Sequence, residues 1–407
     1  MKQGQSIRAA FEPERIMEIR KVSPAEPLEK QRTMSYYVVP EGKRLTEYEQ
    51  LTAYAQQSAD YAGGGIEVGE YQQKHAGGRG AYANETTELI NRDWFKFRDP
   101  DRRWFYPAVK AKAEDGRTAD RFMKAASSEG LVRLIERDWI GFLDVDFGAL
   151  TFYEYGLFNA HSSATKDSIS DFVKTWVALT AFDKNDAAQM VQTERVFLSK
   201  QIENFDADLV RAKEVWTKSP IYAGIREAVE RLWGDTYDWG EILWASHAII
   251  DAIYGQFVRR EFFQRIAPAY GDNITPWFLS QASGYAQTAK GGVRRLFGDN
   301  LANDPDFGLH NRAVIRAWTD KWLPVTLAGL RGFVGIYAQL PNASEKVAGR
   351  SVVEEGVERV MQDWATDFAH LIGYEADVAG LVAEVMSGMD PALAYRSDAT
   401  KSIQPIS

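Results

Sequence analysis

The chain has 407 residues, a formal net charge of −9, five histidines and no cysteine. The charge opposes attraction to phosphate backbones, so nucleic acid is not an expected partner. The missing thiols exclude disulfides, thiolate catalysis, iron–sulfur ligation and cysteine-type zinc sites. No stretch approaches the roughly 20 apolar residues that span a membrane, and the first residues lack a signal-peptide core, so a soluble cytoplasmic protein without a membrane partner is expected.

Six of the 14 prolines lie at or before Pro107, and Ala108 to Ser219 holds none. The first region also carries the glycine clusters AGGGIEVGE (62–70) and HAGGRG (75–80), poor material for helices. Residues 1–105 therefore read as a long irregular arm, more natural along another subunit than inside a compact domain. Loops wrapped on the chain's own domain are the alternative. Within the arm, DWFKFRDPDRRWFYP (93–107) interleaves aromatics and arginines, whose charge Asp93, Asp99 and Asp101 partly cancel. Trp94, Phe95, Phe97, Arg102, Arg103, Trp104, Phe105 and Tyr106 are the candidate subunit-contact residues, since Trp, Tyr and Arg anchor interfaces. Core placement within this chain competes with that reading.

From about residue 120 to 390 the pattern is helical, in a domain drawn at 106–390 with a tail at 391–407. In the clearest helix, over 239–262, an α-helical spacing groups Trp239, Ile242, Leu243, Ser246, Ile250, Ile253 and Phe257 on one buried face and sets Glu241 and Arg259 opposite. Ser219-Pro220 and Thr275-Pro276 read as helix starts with a capping hydroxyl before proline. Gly271-Asp272-Asn273 and Asp304-Pro305 read as stops, so successive helices should return antiparallel. The expected fold is an all-α bundle of long helices.

Such a bundle raises the possibility of a di-iron carboxylate centre, which needs two Glu-x-x-His pairs plus two further glutamates. The residues three before the histidines are Gln72, Phe158, Trp244, Phe307 and Asp367, so no such pair exists. Asp367/His370 has the spacing with a shorter acid, and a surface or capping interaction is the preferred reading. His247 and His161 read as hydrogen-bonded histidines at helix contacts. Glu67/Glu70, Glu85/Glu88, Glu227/Glu230 and Glu355/Glu358 read as solvated faces. Asp251, Arg259, Arg260 and Glu261 are expected to form ion pairs between helices. No Gly-x-Ser-x-Gly elbow and no phosphate-binding Gly-Lys-Ser/Thr loop is present. Catalytic, cofactor-binding and metal-ligating residues are accordingly assigned to none in this chain.

The strings KRLTEYEQLTAYAQ (43–56), RDPDRRWFYP (98–107), EYGLFNAHS (154–162), GQFVRREFFQR (255–265) and GDNITPWF (271–278) occur in that order, with GGR (77–79), NETTEL (84–89) and AQM-x-Q-x-ER (188–195) between them. In these the chain resembles the hydroxylase β subunit of soluble methane monooxygenase and its short-chain alkane relatives, propane and butane enzymes among them. The resemblance runs from about residue 34 to 375. It implies a ferritin-like helical subunit in a dimer of αβγ units, with the di-iron centre in α. It also implies a regulatory protein and a reductase carrying FAD and a 2Fe-2S cluster fed by NADH. GLFNA (156–160) is similar to a stretch of the catalytic subunit, with Leu157 at a ligand glutamate; a second comparison sets Asp186 and Gln189 against a Glu-x-x-His pair. Residues 60–83 hold no tryptophan where methane-oxidising relatives have a tryptophan-rich loop, which keeps ethane, propane and butane open beside methane. Two alternatives stand beside this: a helical binding or scaffold protein unrelated to oxygenases, and a self-contained di-iron enzyme. The ordered strings speak against the first and the missing pairs against the second.

Overall fold

The computed structural model describes residues 41–44, 46–54, 86–91, 94–168, 170–340, 346, 350–389 and 404–405. The glycine clusters, His75, Glu67/Glu70, Glu85 and the C-terminal tail apart from residues 404–405 lie outside them, as does most of the arm. The helices, in chain order, are α1 (Glu47–Tyr54), α2 (Phe105–Ser128), α3 (Arg137–Phe142), α4 (Ala149–Asp167), α5 (Asp171–Ser199), α6 (Leu209–Lys218), α7 (Pro220–Gly234), α8 (residues 239–264), α9 (residues 275–302), α10 (Gly308–Phe333), α11 (Arg350–Asp367) and α12 (Val378–Met386). Among the described residues strand structure is confined to Ile202–Glu203 pairing antiparallel with Gln404–Pro405.

The long helices return antiparallel. Along α4 and α5, Glu154 meets Lys184 while Gly148 lies against Arg195; along α4 and α8, Tyr153 meets Asp251 and His161 meets Ser246. Gln264 reaches Ser283 at one end of α8 and α9, and Trp244 packs on Phe297 at the other. Helices α7 and α10 cross so closely that a methyl on Gly224 would lie 2.9 Å from the Ala328 carbonyl carbon.

Helix α8 differs from the amphipathic helix the sequence predicts. Most of its residues are buried on every side, Glu241 and Arg259 included, because α4, α9, α10 and α11 surround it. Both charges are matched: Lys321 Nζ and Trp322 Nε1 donate to Glu241 Oε1 at 2.5 and 2.7 Å, and Arg259 joins the network described below. Over Trp244–Gly255 and Phe257–Gln264 the backbone bonds run i→i+5, so the helix is wider than an α-helix and its faces advance differently.

The expected stops and starts are present, with a different capping group. The turn after α8 passes through Gly271 at φ 74°, where a Cβ would lie 2.1 Å from the Leu134 carbonyl oxygen. Asp272 Oδ1 then accepts the Ile274 and Thr275 backbone N–H groups, and its Oδ2 accepts Trp139 Nε1–H at 2.9 Å. Thr275 spends its hydroxyl on Glu194 of α5, and Ser219 precedes Pro220 without a side-chain cap.

The described parts of the arm lie on the chain's own bundle. Tyr48 meets Phe172 edge-on, Trp94 packs on Trp239, Phe97 packs on Trp176, and the buried Arg98 pairs with Glu49 at 3.1 Å. Residues 86–91 are strapped down by side chains. Asp238 accepts the Glu88 N–H at 2.6 Å, His310 Nε2 donates to the Glu88 carbonyl, and Asn311 bonds both backbone groups of Ile90. These described segments of the arm pack on the chain's own helices.

Candidate functional site: a buried ion tetrad at the bundle centre

Four charged side chains from three helices meet where α4, α5 and α8 pack. Lys184 Nζ lies 3.2 Å from Glu154 Oε2 and 2.9 Å from Asp251 Oδ2; Arg259 Nη1 lies 2.6 Å from Glu154 Oε1 and 2.9 Å from Asp251 Oδ1. Each carboxylate thus bridges both cations, and the two charges of each sign cancel. Tyr153 adds its hydroxyl to Asp251 Oδ1 at 3.1 Å. All four ionic side chains are at most 6% exposed. Burial alone would push the Asp251 carboxyl up, but the Arg259 guanidinium and Lys184 ammonium outweigh it and hold it well below the usual carboxylate range.

The backbone makes room for this cluster. A Cβ on Gly255 would sit 2.2 Å from Asp251 Oδ1 and 2.7 Å from the Tyr153 hydroxyl, so position 255 admits no side chain while the tetrad stands. The ion pairs expected between helices are present for all four residues named from the sequence: Asp251 and Arg259 here, Arg260 with Asp363 at 2.8 Å, and Glu261 with Arg359 at 2.7 Å. Glu154 and Lys184, which complete the tetrad, were not singled out. Glu154 stood inside the string EYGLFNAHS, and Lys184 carries no spacing signal.

Beside the tetrad, His161 and His247 stack with ring centroids 4.5 Å apart. His161 Nε2 and Ser246 Oγ are 2.8 Å apart. Burial pushes the His247 imidazole down to about 3, with the Lys184 ammonium acting the same way, and it lowers His161 well below the ordinary histidine value. Both rings are therefore neutral. His161 is hydrogen-bonded as expected; the His247 Nε2 has no protein partner.

Leu157, one turn from Glu154, is fully buried. The comparison of Asp186 and Gln189 with an interior metal pair needs correcting. Gln189 is exposed, and Asp186 sits at the bundle surface, accepting from Tyr285 and lying 3.6 Å from Lys112. The interior positions of α5 at this level are Lys184 and Ala187, because Glu154 and Lys184 define which side of α5 faces α4. Asp367 pairs with Lys290 and His370 is exposed, so they do not converge.

The candidate contact residues separate by burial. Trp94 and Phe97 are 2% and 0% exposed within this chain alone, which removes their side chains from any surface and corrects that part of the expectation. Arg103 is tied to Asp183 at 2.8 Å and Trp104 is half-buried. Phe105 and Tyr106 are 55% and 64% exposed, and Arg102 is exposed beside Glu41. Val109 and Phe182, missed in the sequence, extend this apolar patch; Phe105 meets Phe182 edge-on at 6.1 Å. The side chain of Phe95 lies outside the described residues.

The bundle superposes on toluene 4-monooxygenase with a TM-score of 0.56 over 82% of this chain and 96% of that one, at 15% identity. Phenol hydroxylase from Pseudomonas sp. OX1 superposes with a TM-score of 0.62 over 73% of this chain and 83% of that one, at 14% identity. Residues 72–303 match the family model described as methane/phenol/alkene hydroxylase, and the chain belongs to that family. It is 45% identical to the methane monooxygenase component A beta chain of Methylococcus capsulatus over 95% of this chain and 99% of that one. The component A beta chain of Methylosinus trichosporium is 44% identical over 90% and 97%, and the small hydroxylase subunit of propane 2-monooxygenase from Rhodococcus jostii is 28% identical over 77% and 83%. The chain is thus a hydroxylase subunit of a multi-subunit monooxygenase.

A di-iron centre does not fit the residues at this bundle centre. The interior carboxylates Glu154 and Asp251 are both spent on Lys184 and Arg259, and among the described residues no three or more His, Cys, Asp or Glu side chains gather as a metal requires. Those two fixed cations would repel a metal from the same carboxylates.

Proposed function

We propose that this chain is the non-catalytic β subunit of a hydroxylase that oxidises methane or another short-chain alkane with O2 and electrons derived from NADH. Its role is to scaffold an iron-bearing α subunit, beside a γ subunit in a dimer of αβγ units, and to help form the surface where the regulatory and reductase components dock. The observation that carries the reading is the ion tetrad. In a bundle of the hydroxylase type, Lys184 and Arg259 supply at the centre the positive charge that two acidic side chains need, so the fold is complete without metal. Identity to methane monooxygenase beta chains over nearly the whole length supports the subunit assignment and, being well above the identity to propane 2-monooxygenase small subunits, favours methane within the alkane class.

On this reading the di-iron centre belongs to the partner α chain, and FAD and the 2Fe-2S cluster to the reductase. The exposed patch of Phe105, Tyr106, Val109 and Phe182, with Arg102 nearby, is the proposed contact with α or with the second β. Metal analysis of the purified complex after separation of its chains tests the assignment. Iron should follow a larger chain; about two irons retained per copy of this chain would overturn it.

A further inference from the structure

Helices α8, α9 and α11 line a partly open cavity of about 240 Å³ beside the imidazole pair. From α8 it is lined by His247, Asp251, Gln256 and Arg260, at successive spacings of four, five and four residues. An α-helix would scatter these positions, but the i→i+5 bonding of Trp244–Gly255 and Phe257–Gln264 gives about 4.4 residues per turn and brings them onto one line. Lys290 enters from α9 and Asp363 and Asp367 from α11.

The charges around the cavity are already matched. Arg260 Nη1 donates to Asp363 at 2.8 Å, Lys290 pairs with Asp367, and Asp251 belongs to the tetrad with Lys184 and Arg259. Neither an anion nor a cation would therefore find an uncompensated partner. Two buried polar atoms nevertheless have no protein partner: His247 Nε2, on a side chain 95% buried, and Arg260 Nη2. A buried donor left without a partner costs about 1–3 kcal/mol, so the requirement is for something small, uncharged and able to hydrogen-bond.

We propose that this cavity is a hydration site, in which a cluster of ordered water molecules bonds to His247 Nε2 and Arg260 Nη2 and carries solvent to the edge of the His161–His247 stack. The volume suffices for several, since a water occupies about 30 Å³ of liquid, and a site with this many polar partners holds water where an apolar one stays dry. The i→i+5 segment of α8 then has a purpose: it aligns the polar stripe on the water, with Asp251 shared between that stripe and the tetrad.

A crystal structure of the purified hydroxylase complex, at a resolution that shows ordered water, tests this. Water within hydrogen-bond distance of both His247 Nε2 and Arg260 Nη2 is expected. A dry cavity, a side chain of this or a partner chain filling it, or density for a larger organic molecule overturns the proposal. His247→Phe gives a second reading. If water satisfies the imidazole, the substitution lowers the melting temperature of the complex; if the nitrogen is an orphan in a dry cavity, removing it raises that temperature. Should the variant not assemble, the crystallographic result alone decides.

Discussion

At position 184 an ammonium stands between two carboxylates from different helices, and its removal leaves them facing one guanidinium. Breaking a buried pair on one side costs about 3–5 kcal/mol, although the intact network adds little net stability over apolar packing. Lys184→Met should therefore lower stability by that amount in denaturant unfolding, and Lys184→Met with Glu154→Gln should recover part of it, since the excess negative charge is gone. The imidazole pair acts on pH dependence. Below about pH 6.5 the unfolded chain takes up protons at positions 161 and 247 that the folded chain refuses until near pH 3 at His247. Their contribution to stability is full above pH 6.5 and is lost progressively as pH falls. Unfolding curves recorded from pH 7 to pH 4 check this, and His247→Phe should flatten the slope.

Asp272 joins two helices at the start of α9: it caps the α9 backbone and holds the Trp139 indole on α3. Asp272→Ala removes the cap and orphans a buried indole N–H, and should cost about 2–3 kcal/mol. Hydrogen exchange should quicken in the first turn of α9, and an unchanged exchange pattern would contradict this role. The sequence marked the Gly271-Asp272-Asn273 break correctly but attributed the α9 cap to Thr275, because a hydroxyl before proline is the commoner local signal. What it could not contain is Glu194, 81 residues away, which claims that hydroxyl. Helix α8 shows the same limit: its apolar face was readable, but the assumption of α-helical spacing hid both the i→i+5 stretches and the polar line facing α9 and α11.

For the molecule as a whole, the exposed patch at the start of α2 sits apart from the core, so assembly and folding can be disturbed independently. Phe105→Asp together with Tyr106→Asp should weaken association with the partner chains at least about tenfold while leaving this chain's own unfolding midpoint unchanged. Sedimentation of the reconstituted complex measures the first and denaturant unfolding the second. A change to Trp94 would not separate them, because that ring packs on Trp239 inside the chain.

The sequence by itself determined the helical class, the family resemblance, the helix breaks and the absence of Glu-x-x-His pairs, since each depends on residue type or on spacing within a few turns. The tertiary structure decided which of the arm aromatics are buried, that Glu241 and Arg259 face inward, and that Glu154 and Lys184 complete a tetrad with Asp251 and Arg259. Those outcomes depend on which helices surround a position. A charge that periodicity assigns to solvent is stable inside when a distant helix brings the opposite charge within about 3 Å.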